Sequence, residues 1–245
     1  MKQTVLLAGF LLATLLLHAQ LNHPHFLTEI SVGPSFPVGK FGDKNFDIFN
    51  LKNPPGLAKT GVSASLSLGY YLNRSIAVLV SAGYSEHKQD WDGYGKYIRS
   101  LPNGDGPADF QITAETWKAI NIMGGGFFVI PLTPAHKLNV TAKLLAGGCK
   151  SAIPAFTGKS YDVGGVFLSE SKYSEVDLKW AFCYQAGVGL QYKLTRFLHV
   201  QLEVNSFNAT AKMPARMPSY SNAVPVIGNS NMSTVNAQAG LGIDL

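Results

Sequence analysis

After its first twenty residues, the 245-residue sequence lacks any apolar run long enough to cross a membrane as a helix. It is also poor in charge: 14% of its residues are Asp, Glu, Lys or Arg, whereas about 25% is usual in soluble domains. Two cysteines exclude a disulfide-rich scaffold. The net charge of +5 is scattered and forms no Lys/Arg block, so nucleic acid is not an expected partner.

Residues 1–19 have the organisation of an export signal. Lys2 supplies the positive start, Val5 to Leu17 supply the apolar stretch, and Ala19 supplies the small residue before cleavage. The apolar stretch is shorter than the ~20 residues that a membrane span needs. We therefore expect a cleaved signal peptide at 1–19, followed by one domain at 20–245.

Apolar and polar residues alternate along most of the mature chain, which predicts half-buried β-strands. Val62 to Tyr70 is a clear example, because every second residue is apolar and the residues between are Ser or Gly. The pattern predicts eight strands, with weaker alternation in the first and fourth: 26–36, 62–70, 76–84, 115–130, 138–147, 180–192, 198–205 and 235–245. Gly124 to Gly126 could mark a bend or bulge in the fourth strand.

Short and long connections alternate between these strands. Three are short (72–74, 131–136 and 194–197) and four are long (37–59, 87–114, 149–177 and 209–233). A chain without apolar helices can span lipid only as a closed barrel, because every backbone polar group must be paired. The sequence therefore predicts an all-β fold: an eight-stranded antiparallel up-and-down transmembrane β-barrel with four long extracellular loops.

Aromatic residues lie near both ends of the predicted strands. Trp180 and Tyr192 are twelve positions apart on one apolar face, which in a tilted strand separates them by roughly 30 Å along the membrane normal. We expect Trp180 and Tyr84 in an outer aromatic girdle, and Tyr192, Tyr70 and Phe128 in an inner one. The alternative is that these aromatics are core residues of a sandwich.

Four stretches resemble the small outer-membrane β-barrel domain proteins of Bacteroidetes-type bacteria, the porin-family group described as PorT-like. They are His18-Ala19-Gln20, Ile30 to Phe36, Leu68-Gly69-Tyr70-Tyr71 and Ala237 to Leu245. The family usually ends on an aromatic residue, where this chain has Leu245. The resemblance implies the outer membrane as location, the barrel-insertion machinery as a partner and a secretion machine as a candidate assembly. It carries no catalytic residues.

Several polar residues of the strands are predicted to point into the barrel. Lys143 and Glu203 lie at the same height with inward parity, so we expect a buried ion pair. Glu29, Lys118 and Gln201 are expected in the same polar network. Because an eight-stranded barrel is only wide enough for side chains to fill, the network is expected to be structural and no open pore is predicted.

Cys149 and Cys183 are the candidates for a disulfide, since both are predicted to point inward at similar heights in an exported protein. Two unpaired core thiols are the alternative. His23 and His25 have no third ligand nearby and do not predict a metal site. His199 and Glu203 share one strand face without a neighbouring serine, which disfavours a catalytic triad.

Together these features predict a non-enzymatic outer-membrane protein with a structural or surface-interaction role through its long loops. No cofactor or metal is expected. The expected partners are outer-membrane lipid, the barrel-insertion machinery and either a secretion-machine component or a surface ligand. The alternatives are a soluble periplasmic lipocalin-like binding barrel, whose apolar residues would point inward, and a lipid A-modifying acyl hydrolase.

Overall fold

The structure, a computed structural model, describes residues 26–44, 55–92, 109–134, 137–162, 164–212 and 228–244. These ranges contain one 3₁₀ turn, Gly39–Phe41, and no helix that is long and apolar enough to cross a membrane. They form the following strands: β1 (Phe26–Pro37), β2 (Gly61–Tyr71), β3 (Ile76–His87), β4 (Asp109–Ala114), β5 (Trp117–Pro131), β6 (Leu138–Ile153), β7 (Phe156–Tyr161), β8 (Phe167–Tyr173), β9 (Val176–Asp177), β10 (Ala181–Lys193), β11 (Leu198–Lys212) and β12 (Asn229–Asp244).

Eight of these strands close into a barrel. They pair antiparallel in the order β1-β2-β3-β5-β6-β10-β11-β12, and β12 pairs back onto β1. The register is staggered around the ring: a path that starts at Ile30 and passes from each residue to its partner on the next strand comes back to β1 about ten residues beyond Ile30. Tilted strands need such a stagger to close a barrel. The predicted eight-stranded antiparallel up-and-down barrel is confirmed.

The strands place apolar side chains outside and polar side chains inside. Along β11, Leu202 is 63% exposed whereas its neighbour Glu203 is 5% exposed. Val200 of the same strand is likewise exposed, as are Val78 on β3 and Leu241 on β12. A lipocalin-like barrel requires the opposite arrangement, so the structure does not favour that alternative.

The sequence pattern suggests a hydrophilic interior, but the interior of the structure also contains many apolar side chains. Buried polar residues are most numerous on β1, β11 and β12, whereas the apolar cluster is built mainly from β3, β5 and β6 and is joined by Leu27 of β1, Phe207 of β11 and Met232 of β12. Leu79, Met123, Phe127 and Leu145 belong to that cluster. Large apolar side chains fill a narrow interior without requiring hydrogen-bond partners, so both kinds of residue are compatible with a sealed lumen.

Two of the predicted loops contain strands. Beyond the barrel, β4 and β7 continue the register of β5 and β6, so that Ala114 pairs with Phe156 as Lys118 pairs with Ala152. β8 pairs with β7 and completes a three-stranded sheet, here called the protruding sheet. The sequence pattern does not identify these strands, because the lipid-facing alternation stops at the barrel rim while backbone pairing continues.

Gly124 to Gly126 form no bulge. All three pair in unbroken register with β3 on one side and β6 on the other. At Gly125 a Cβ would meet the carbonyl oxygen of Leu144, so glycine allows a close approach of the two strands.

The first long connection folds over the adjacent barrel mouth. Phe41 is fully buried, and its ring lies 5.2 Å from His87 and 5.7 Å from Trp117. The Trp117 indole N–H donates to the carbonyl of Gly56 at 2.9 Å. This cap, formed by residues 38–44 and 55–60, packs against the inward residues His87 and Trp117 at the end of the barrel that carries the long connections, here called the long-loop end.

Candidate functional site: the lumen and the two rims

A buried ion pair lies in the middle of the lumen. The Lys143 Nζ is 2.6 Å from Glu203 Oε1, and both side chains are 3% exposed. Lys143 on β6 and Glu203 on β11 are separated by β10, whose residues at this height are Gly187 and Gly189. Because these glycines have no side chains, Lys143 can extend across β10 to reach the carboxylate.

Amide side chains satisfy the rest of that carboxylate. Asn205 Nδ2 donates to Glu203 at 2.7 Å, and Gln201 Nε2 donates to it at 3.0 Å. The Gln201 amide also donates to Glu29 at 3.3 Å, which joins the two carboxylates. The network continues through Asn236, Gln238, Ser63, Ser31 and Ser65. Four of the predicted lumen residues therefore meet: Glu29, Lys143, Gln201 and Glu203.

Lys118 was predicted in this network, and that prediction was wrong. Its side chain is exposed on the outer surface of β5. Lys118 has the same parity as Ile120 and Ile122, which also face outward. The alternation in β5 therefore places it outside, opposite Glu86 of β3.

A second polar cluster, not predicted from the sequence, lies at the end of the barrel that carries the short turns, here called the short-turn end. Asp244 Oδ2 is 3.5 Å from His199 Nδ1 and 3.7 Å from Lys193 Nζ, and Asp244 Oδ1 accepts a hydrogen bond from the Tyr71 hydroxyl at 3.4 Å. His199 packs over Gly242, where a Cβ would overlap its ring. The alternation places His199 and Asp244 inside the barrel, but their meeting depends on the β11–β12 register, which the sequence does not show.

Cys149 and Cys183 both point into the lumen and are free thiols in the structure. Cys149 pairs with Ala181, and Cys183 pairs with Gly147. The two cysteines are thus diagonal neighbours, for which Cα separations of about 7–8 Å are usual, whereas disulfides need less than about 7 Å. The structure therefore has the alternative arrangement, two buried unpaired thiols.

The five predicted girdle residues all face outward. Tyr84 and Trp180 lie toward the long-loop end, and Tyr70, Phe128 and Tyr192 lie toward the short-turn end, each between 38% and 56% exposed. Trp180 covers Gly148 of β6. Phe26 packs edge-on against Tyr70, with 5.3 Å between ring centroids. This distribution is that of two aromatic bands around the barrel.

A serine–histidine contact exists, but it is not arranged for catalysis. The Ser35 hydroxyl lies 3.2 Å from His87 Nε2, and His87 Nδ1 donates to the carbonyl oxygen of Lys59 at 3.0 Å. A carbonyl thus occupies the place where a triad has a carboxylate. Both side chains are buried beneath Phe41. Within the described ranges, no group of three or more His, Cys, Asp or Glu side chains is arranged to hold a metal ion.

The predicted signal peptide, His23, His25 and Leu245 lie outside the described residues. Trp91, an aromatic residue of the second long connection, is described, and its ring lies 5.1 Å from Phe156 of the protruding sheet.

No protein-family model and no curated protein matches this sequence. Among solved structures, the chain is similar to Neisserial surface protein A, with 13% identity over 90% of this chain and 97% of that chain, and a TM-score of 0.42. It is similar to the attachment invasion locus protein of Yersinia pestis, with 13% identity, coverages of 89% and 99%, and a TM-score of 0.39. It is also similar to the outer membrane protein OprG from Pseudomonas aeruginosa, with 12% identity over 91% of this chain and 97% of that chain, and a TM-score of 0.42. The assignment of the barrel fold rests on the strand pairing and not on these similarities.

Proposed function

We propose that this chain is a non-enzymatic outer-membrane β-barrel protein whose long-loop end faces the cell exterior and takes part in surface interactions. The observation that carries the proposal is the belt of exposed apolar side chains around a closed barrel. Ile122, Leu144, Val188 and Leu202 are each more than half exposed and lie on four neighbouring strands. Contiguous apolar surface of this extent is unfavourable in water and favourable in lipid.

The protruding sheet supports the surface role. It lies beyond the rim of β5 and β6, and β8 is exposed along nearly its whole length. Val166, just before β8, and Phe167 and Leu168 at its start are each more than half exposed. Exposed apolar side chains on a loop-borne sheet are typical of interaction surfaces.

Membership of the PorT-like group of Bacteroidetes-type bacteria is a finer part of the proposal. Two of the stretches that carry the resemblance, in β1 and β12, pair with each other at the seam where the barrel closes, for example through Ile30 and Leu241. With this membership we also propose a role as an accessory component of a protein-secretion machine.

Cell fractionation followed by gel electrophoresis of unheated and heated protein tests the proposal. We expect the protein in the outer-membrane fraction, with a heat-dependent change in mobility because a closed barrel resists unfolding by detergent at room temperature. Release into the soluble fraction without detergent would contradict the proposal.

Single-channel recording tests the expectation of a sealed lumen. The Lys143–Glu203 pair and its amide partners lie across the interior, and the cap packs against inward residues at the long-loop end. We therefore expect no large steady conductance from the purified protein in planar bilayers. A stable open level of the size seen for general porins would contradict a structural lumen.

A further inference from the structure

The short-turn end of the barrel carries a repeated arrangement. Each of its three turns begins with leucine followed by Asn or Thr: Leu72-Asn73, Leu132-Thr133 and Leu194-Thr195. Each turn also carries an exposed cation, namely Arg74, Lys137 and Arg196. The described residues of these turns, 72–75, 132–134, 137 and 194–197, include no Asp or Glu.

The side chain of the second residue of each turn accepts hydrogen bonds from backbone N–H groups of the same turn. Asn73 Oδ1 accepts the backbone N–H groups of Ser75 and Ile76 at 2.8 and 2.9 Å. Thr195 Oγ1 accepts those of Phe197 and Leu198 at 3.1 and 3.0 Å. Thr133 Oγ1 accepts the N–H of Lys137 at 3.2 Å. These backbone donors are therefore used within the turns, and each turn has an exposed basic side chain beside them.

Backbone hydrogen bonds connect the three turns into one rim. Val129 N–H donates to the carbonyl of Ser75, Lys193 N–H donates to that of Lys137, and Asp244 N–H donates to that of Phe197. The described carboxylate nearest this rim, Asp244, is buried and faces inward, where Lys193 and His199 contact it. Among the described residues, each turn of the rim thus carries an exposed cation and no carboxylate of its own.

The rim also adjoins the apolar belt. Leu132, Leu194 and Phe197 are each between 47% and 54% exposed, and the inner aromatic residues Tyr70, Phe128 and Tyr192 lie on the strands that enter these turns. The Arg196 guanidinium lies 4.5 Å from the centroid of the Phe197 ring. The cations therefore lie at the boundary between lipid-facing side chains and water, at the depth of lipid headgroups.

We propose that this rim, formed by Arg74, Lys137 and Arg196, binds the anionic phosphodiester headgroups of lipids in the periplasmic leaflet. The inference rests on the proposed membrane location. Anionic lipid is the chemistry that fits, because the three cations are spread around a circumference beside apolar surface and do not converge on one pocket. A basic residue near an anionic membrane surface contributes about a fivefold preference. Because the three cations are spread around the circumference, each is expected to enrich anionic lipid beside it by about that factor.

Quenching of a tryptophan by brominated lipids measures this preference directly. The reporter is Tyr192→Trp combined with Trp180→Phe, which leaves its only lipid-facing described tryptophan at the rim. It is inserted into phosphatidylcholine vesicles that contain brominated phosphatidylglycerol or brominated phosphatidylcholine. We expect phosphatidylglycerol to quench several-fold more at equal bulk fraction, and 1 M salt to reduce the difference.

Two triple variants of the reporter give the matched comparison. Arg74→Gln, Lys137→Gln and Arg196→Gln together should abolish the selectivity. Lys88→Gln, Lys179→Gln and Lys212→Gln remove the same charge from exposed positions at the long-loop end and should leave it unchanged. Equal selectivity in both triple variants would overturn the inference. Heat-dependent gel mobility is recorded for every sample as a measure of insertion. A reporter that inserts normally but shows no selectivity contradicts the lipid site alone. Failure of the reporter to insert in any vesicle contradicts the proposed function.

Discussion

The ion pair between Lys143 and Glu203 shows how a single residue can depend on a partner two strands away. Both groups are removed from water, and each is acceptable in the lumen only because the other is present. The pairing could be predicted from the sequence because strand parity and height place both residues at the same inward level. The glycines of β10 that let Lys143 reach across were not identified in advance.

Replacing Lys143 by Met should destabilise the barrel by about 3–5 kcal/mol, because Glu203 is left as an unpaired buried charge. Adding Glu203→Gln to Lys143→Met should restore most of that stability. Urea-induced unfolding in vesicles, followed by gel mobility, measures both. A cost below about 1 kcal/mol for the single variant would show that the pair is not buried as described.

Gly242 is a second residue whose role depends on one neighbour. A Cβ there would overlap the His199 ring, which cannot move far inside a filled lumen. Gly242→Ala should therefore destabilise by about 1–3 kcal/mol, and His199→Ala in the same chain should relieve part of that cost. Gly124→Ala is the control, because its Cβ would meet one atom at 3.6 Å. Equal unfolding midpoints for the two glycine variants would contradict the packing described.

At the scale of elements, the sequence predicts the lipid-facing parts of the strands and misses their continuations. β11 extends to Lys212 and β12 begins at Asn229, several residues beyond the predicted bounds. β4, β7 and β8 were missed for the same reason. Outside the apolar belt neither face of a strand contacts lipid, so the alternation that identifies strands is lost while backbone pairing persists.

The cap at the long-loop end depends on one acidic residue. The Asp90 carboxylate forms ion pairs with two lysines, with 2.7 Å between Oδ2 and Lys44 Nζ and 3.4 Å between Oδ1 and Lys59 Nζ. The backbone N–H of Asp90 donates a hydrogen bond to the carbonyl of Leu57. The hydrogen bond from Lys44, followed by the charges of Lys59 and Lys44, holds the pKa of Asp90 below its ordinary value of 3.8. The stability that Asp90 contributes is therefore present above that value and is lost as pH falls through its lower pKa in the folded protein.

We expect acid to loosen the cap before it unfolds the barrel. Hydrogen exchange at the amides of Ala58 and Asp90, compared between the native chain and Asp90→Asn after correction for intrinsic rates, measures this. The native chain should protect these amides more strongly at pH 5, and the difference should vanish in strong acid. Identical protection at pH 5 would show that Asp90 does not hold the cap.

At the scale of the whole molecule, the barrel is an apolar cylinder around an interior that contains both polar and apolar side chains, with basic turns at one end and a capped mouth and protruding sheet at the other. The cylinder and its eight strands could be predicted, because the alternation repeats in every strand. The cap, the protruding sheet and the cluster around Asp244 could not, because each depends on contacts between residues that are distant in sequence.

Spin-label accessibility along β11 tests the central claim, that the outward side chains face lipid. In a cysteine-free background with Cys149→Ala and Cys183→Ala, single labels are placed at Val200, Leu202, Val204 and Lys212 in vesicles. Oxygen should collide with the labels at Leu202 and Val204 far more often than a water-soluble nickel complex does, and this order should reverse at Lys212. More frequent collisions with the nickel complex at all four positions would contradict a membrane-spanning barrel.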